Sequence, residues 1–67
     1  MIKLKDLKEG YAIVESSLYQ KYKSNARPFR ILGDDIDDAR YQRGSLERCD
    51  RIGYSIYDCK NQKLASY

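Results

Sequence analysis

Residues 54–59, Tyr54-Ser55-Ile56-Tyr57-Asp58-Cys59, form the clearest β-strand signal in the chain. Aromatic and β-branched residues fit a pleated, half-buried surface. Successive side chains leave a strand on opposite sides, so Tyr54 and Ile56 face one way and Ser55 and Tyr57 the other. Lys60-Asn61-Gln62 then makes a tight turn, and Lys63-Leu64-Ala65-Ser66-Tyr67 returns as a last strand.

Working outward toward the N-terminus, Gly53 stands where a helix usually closes. Ser45 suits a helix N-cap, and Leu46, Cys49 and Ile52 follow at i, i+3 and i+6 on one face. The run Asp34-Asp35-Ile36-Asp37-Asp38 opens the element with negative charge, which complements the positive end of a helix. Ile36, Ala39 and Arg40 sit at helical spacing, and Gly44 interrupts them. The pattern describes one helix with a weak point at Gly44, or two short helices; the single helix is the preferred reading.

The first half of the chain reads as two strands. Residues 3–9 make a short helical turn stopped by Gly10, and Tyr11-Ala12-Ile13-Val14-Glu15 is rich in strand formers. Ser16 to Lys23 alternates imperfectly and is expected to prolong that strand. Ser24-Asn25-Ala26-Arg27 is a polar turn, and Pro28 suits the first residue of a strand because it cannot donate a ladder bond. Phe29-Arg30-Ile31-Leu32 then pairs back as a hairpin, ended by Gly33. The expected fold is α+β: a small antiparallel sheet in the order β-β-α-β-β with the helix packed on one face. Ile13, Val14, Phe29, Ile31, Ile36, Leu46, Cys49, Ile52, Ile56 and Leu64 are the expected core.

Sixty-seven residues hold one domain, 1–67, without repeat or linker. A chain this short buries about 60% of the surface it exposes when unfolded, so one thin core is expected and a deep substrate cavity is not. No stretch approaches the roughly 18 apolar residues of a membrane span. Met1-Ile2-Lys3-Leu4-Lys5-Asp6 lacks the apolar run of a signal peptide, so the expected address is the cytoplasm, with Cys49 and Cys59 as free thiols.

Seven tyrosines and one phenylalanine accompany no tryptophan and no histidine. Without histidine the commonest general base near neutral pH is missing, and neither cysteine has an imidazole to activate it. Enzymatic activity and a cofactor are not expected. Two cysteines fall short of a structural zinc site. The acidic run fails as a calcium loop as well: with Asp35 at position 1, Ala39 falls at position 5, Arg40 replaces the glycine at position 6 and Leu46 the glutamate at position 12. It reads first as a helix-opening cluster, and second as a negative patch that could meet a basic surface.

The best nucleic-acid signal lies between Ser16 and Gly33, where no acidic residue occurs and Tyr19, Lys21, Tyr22, Lys23, Arg27, Phe29 and Arg30 are found. Lysines and arginines there can neutralise phosphates, and aromatic faces can stack on bases. The competing reading is an edge hairpin whose lysines discourage aggregation. Four arginines, Arg40, Arg43, Arg48 and Arg51, also punctuate the helix. Arginine suits phosphate forks and protein hot spots, whereas Glu47, four residues before Arg51, and nearby Asp50 would neutralise a solvated face. The candidate partner-binding residues are Tyr19, Lys21, Tyr22, Lys23, Arg27 and Arg30 on the hairpin and Arg40 and Arg43 on the helix.

In its layout, a short, Tyr-rich, Trp-free chain closing on Gly53-Tyr54-Ser55-Ile56-Tyr57-Asp58 and Lys63-Leu64-Ala65-Ser66, the chain resembles small phage-encoded accessory proteins. Anti-CRISPR proteins and other inhibitors of host defence or transcription are among them. The resemblance spans roughly residues 11–67 as a pattern of elements, with no diagnostic motif. It implies a stoichiometric inhibitor that covers a functional surface on a bacterial protein or protein–nucleic acid complex. Direct nucleic-acid binding through residues 19–30 is the alternative. A third reading is a small cellular domain whose exposed sheet edge or apolar remainder favours a homodimer.

Overall fold

The computed structural model describes residues 1–65. It is an α+β fold with a four-stranded antiparallel sheet. The strands are β1 (Tyr11–Glu15), β2 (Arg30–Ile31), β3 (Tyr54–Asp58) and β4 (Lys63–Leu64), in spatial order β2-β1-β3-β4. Two α-helices, α1 (Ser16–Tyr22) and α2 (Ile36–Asp50), and two 3-10 turns, Leu4–Asp6 and Lys23–Asn25, complete it. Ser66 and Tyr67, expected in the last strand, lie outside the described residues.

The centre is the pair β1–β3, in register from Tyr11 opposite Asp58 to Glu15 opposite Tyr54. Ala12, Ile13 and Val14 are all fully buried, so β1 is covered on both faces. On one face Ala12, Val14, Tyr57 and Cys59 pack with Leu4 and Ala26, backed by Leu7, Leu18, Tyr19 and Leu64. On the other face, Ile13 opposite Ile56, α2 closes over the sheet with Ala39 buried. The single-face packing expected from the sequence is therefore corrected: a second layer, built by α1 and the two 3-10 turns, covers the opposite face.

That layer exists because residues 16–22 are a helix, not an extension of β1. β3 begins at Tyr54, the partner of Glu15, so a longer β1 would find no strand to pair with on that side. A helix satisfies the same backbone groups internally. The switch is pinned by the Ser16 N–H donating to the Gly53 carbonyl at 3.0 Å, and by the Ser16 and Ser55 hydroxyls 2.7 Å apart. Within α1, Leu18 and Tyr22 stand one turn apart, a helical spacing that imperfect alternation concealed.

α2 runs unbroken through Gly44. Asp35 caps it, accepting from the Asp37 and Asp38 amides at 3.0 and 3.3 Å, which gives the acidic run its helix-opening role. Its C-terminal turn differs from expectation: the helix ends at Asp50, and Arg51 (φ 58°, ψ 33°) takes the left-handed position assigned to Gly53. Glu47 and Asp50, expected to neutralise arginines, instead hold Tyr54. The Tyr54 amide donates to Glu47 Oε2 at 3.0 Å, and its hydroxyl donates to Asp50 Oδ2 at 2.6 Å. This clamp sets the closing end of α2 against the first residue of β3.

Ile13, Val14 and Ile56 are buried as expected, and Ile36, Leu46 and Leu64 half-buried. Cys49, Ile52, Phe29 and Ile31 are exposed, Phe29 and Ile31 by 51% and 52%. Ala12, Leu4, Tyr54 and Tyr57 supply the missing core. Phe29 and Ile31 lose cover because β2 is an edge strand of two residues. Cys49 and Cys59 are free thiols, and Cys59 is buried beside Tyr57.

Gly10 has φ +77°, and a Cβ there would come within 2.9 Å of the Leu32 carbonyl oxygen and 3.0 Å of that of Gly33. Gly10→Ala is expected to destabilise the fold by about 1–3 kcal/mol, which lowers the melting temperature by roughly 4–8 °C per kcal/mol in a chain of this size. Gly33→Ala, with open space around its Cβ, is the control; thermal melts should place it within about 0.5 kcal/mol of the parent.

Tyr54 provides a pH test. Its ring is buried, with 5% of the residue exposed, while its hydroxyl reaches the surface carboxylate of Asp50. The hydrogen bond to Asp50, reinforced by desolvation, pushes its pKa from 10.0 up to about 12. The folded state thus holds this proton more tightly than the unfolded state. The contribution is complete below pH 10 and lost as pH rises toward 12. Denaturation followed across that window should show a fall in stability that flattens in Asp50→Asn, and tyrosinate absorbance should show the last-titrating ring moving down.

Candidate functional site

The sequence candidates separate into three groups in space. Lys21, Tyr22, Lys23 and Arg27 share one exposed surface formed by α1 and the second 3-10 turn. Arg30 lies on the α2 side of the sheet, opposite Ile13, and donates to Gln42 Oε1 at 2.7 Å. Arg40 is exposed on α2, beyond the sheet from α1. Tyr19 and Arg43 are half-buried, Tyr19 with its ring 6.0 Å from that of Tyr57 in the core. The eight residues do not form one continuous surface.

The α1 surface carries two adjoining clefts. One, of about 440 Å³, is lined by Glu15, Leu18, Arg27, Pro28 and Phe29. The other, of about 260 Å³, lies among Met1, Leu18, Tyr22, Asn25, Ala26 and Arg27. Leu18 and Arg27 border both, so the clefts form one groove crossing from α1 to the start of β2. The larger falls within the roughly 300–1,000 Å³ usual for ligand sites. Its lining sets the carbon of Leu18, Pro28 and Phe29 beside two opposite charges, Glu15 and Arg27.

Phe29 and Leu18 were not among the sequence candidates. The sequence reading places Phe29 in the expected core as well as in the basic-aromatic segment, and Leu18 in a strand. The spacing of Leu18 and Tyr22 held the signal for the helix, and Pro28 beside an edge strand held the signal that Phe29 would lack cover. Phe29 is held from one side: its ring rests 5.1 Å from that of Tyr54, tilted by 57°. Tyr54 is fixed by Glu47 and Asp50. One wall of the groove is thereby tied to α2 through two rings and two hydrogen bonds.

The C-terminal end of α1 is under backbone strain. Lys23, the C-cap of α1, has φ 54° and ψ −131°, a region that L side chains rarely occupy. Its amide bonds back to the Tyr19 carbonyl and its ammonium lies 5.7 Å over the Tyr19 ring. Lys21 places its ammonium 5.3 Å from the Tyr22 ring centre. Such cation–π contacts contribute about 0.5–1 kcal/mol at exposed sites. Glu15, the carboxylate lining the groove, accepts from the Ser17 hydroxyl at 3.2 Å.

Among the described residues no group of three or more His, Cys, Asp or Glu could hold a metal ion, and no helix is long and apolar enough to cross a membrane. No family model, no curated protein and no solved structure matches the chain. The fold and this groove define a small α+β protein with a surface groove of mixed polar and apolar lining beside α1.

The strain at Lys23 sets an unusual order among substitutions. Alanine keeps the strained backbone and loses the cation over Tyr19, whereas glycine relaxes it at a cost of about 1–3 kcal/mol removed, less about 0.5–1 kcal/mol of chain entropy. Lys23→Gly should therefore melt above Lys23→Ala by the equivalent of about 1 kcal/mol, the reverse of the order inside an ordinary helix. Equal melting temperatures, or alanine the more stable, would show the turn to be relaxed.

Proposed function

We propose that this chain is a non-catalytic binding protein, an inhibitor that covers a functional surface on a bacterial protein or protein–nucleic acid complex in the host cytoplasm. The supporting observation is the groove, where Tyr22 is 46% and Phe29 51% exposed beside Arg27. Large exposed apolar side chains grouped on one side of so small a chain suit an interface. Tyrosine and arginine are the residues that most often carry binding energy. The resemblance to phage-encoded inhibitors points the same way, through layout and composition.

Direct nucleic-acid binding is the second reading, favoured by the absence of acidic residues from 16–33. A homodimer paired along the edge strand β2 would place a second chain beside Phe29 and compete with either partner.

Tagged protein incubated with bacterial lysate should retain a partner that Arg27→Glu and Tyr22→Ser each release, with affinity reduced about tenfold or more, the scale of a hot-spot loss. Retention of the same partner by both variants would remove the groove from the interface. A mobility-shift titration with short single- and double-stranded DNA should show no complex at physiological salt. A shift whose strength falls steeply with salt would install the nucleic-acid reading instead.

A further inference from the structure

The free edge of β2 carries opposite charges at its two ends. At one end Arg27 and Pro28 border the larger cleft beside α1. At the other, a cleft of about 240 Å³ lies among Glu9, Gly10, Leu32, Gly33 and Asp34, with two carboxylates and no cation in its lining. Arg27 stands three residues before β2 and Asp34 three residues after it. Arg27, Glu9 and Asp34 are exposed, and among the described residues none of these side chains has a hydrogen-bond or ion-pair partner.

An edge with a cation at one end and carboxylates at the other is complementary to a second copy of itself. When β2 pairs antiparallel with β2 of another copy about a two-fold axis, each Arg27 is laid against the other copy's Glu9 and Asp34, so the same contact forms twice. The residues between these ends suit the arrangement. Phe29 and Ile31 are half exposed because β2 has no neighbour on this side. Arg30, which the axis sets close to its own counterpart, is turned away to Gln42 on α2. A strand from a different protein would have to supply the same two charges in the same order; this chain already does.

We infer that β2 pairs with β2 of a second copy, giving a two-fold dimer in which Arg27 of each chain meets the Glu9–Asp34 cleft of the other. The inference goes beyond the inhibitor reading and does not rest on it, since the occupant is the chain itself. β2 has two residues and follows a proline by one position, so the shared ladder is short and the end charges select the pairing. A standard interface takes roughly 20–30 residues a side. Residues 27–34 with Glu9 form a far smaller patch, which places the dimer in the weak class.

Sedimentation equilibrium of the purified chain tests it. Dimers should dissociate at about 10–100 µM and more readily as salt rises. Arg27→Glu makes both ends of the edge acidic, and the double variant Glu9→Lys, Asp34→Lys makes both basic. Each variant alone should dimerise about tenfold or more weakly than the parent. An equimolar mixture of the two should recover a dimer of parental strength, which a folding defect could not produce. In a Cys49→Ser background, Ile31→Cys should cross-link between copies through a short bismaleimide, and Lys63→Cys on the opposite edge should not. A parent that stays monomeric to about 500 µM, a mixture no tighter than its components, or cross-linking at Lys63→Cys equal to that at Ile31→Cys would overturn the inference. No lysate partner enters these measurements, so the inhibitor reading is decided separately by its own pull-down.

Discussion

The structure depends on one constraint: β1 is buried on both faces in a chain of 67 residues. Ala12, Ile13 and Val14 are continuous in sequence and all fully buried. A strand with one solvated face would alternate apolar and polar residues. This one does not, so two covering layers are required. The chain meets the requirement with α2 on the Ile13 face and with α1, the two 3-10 turns and Leu4 on the Ala12–Val14 face. The N-terminal turn is thus structural, and the Leu4 amide ties it to the Ala26 carbonyl at 2.9 Å.

The strands, their antiparallel pairing and the position of α2 were legible because each rests on a local signal. Tyr54 to Asp58 has strand composition, and the acidic run 34–38 marks the helix start by its charge. The second layer was not legible. Three buried residues in a row from Ala12 to Val14 held the information, but so short an apolar run fits one covered face as readily as two. Residues 16–23 went wrong for a related reason. Serine, tyrosine and lysine carry weak propensity for any state, and the decision is made by the length of β3, a tertiary fact. Arg51 in place of Gly53 at the helix end shows the same override, since an arginine gives no sign that it will adopt positive φ.

The candidate surface was half legible. Absence of acidic residues between 16 and 33 identified Lys21, Tyr22, Lys23 and Arg27, which the fold keeps together. It could not show that Arg30 turns to Gln42 across the sheet, or that Tyr19 belongs to the core. Nor could charge counting reveal the groove floor. Leu18 and Phe29 are apolar residues that a sequence reading sends to the interior by default, and only the shortness of β2 and the helical turn of α1 leave them at the surface.

Phe29, on the groove, and Lys23, at the end of α1, differ in how they are held. Phe29 is braced through Tyr54 to Glu47 and Asp50, so its ring is positioned before any ligand arrives. Pre-positioned groups avoid an ordering cost on binding. Lys23 sits on a turn that the fold holds against its backbone preference, with its charge over Tyr19. Of the two, only Phe29 stands on the groove, so the element fixed in advance there is the aromatic one.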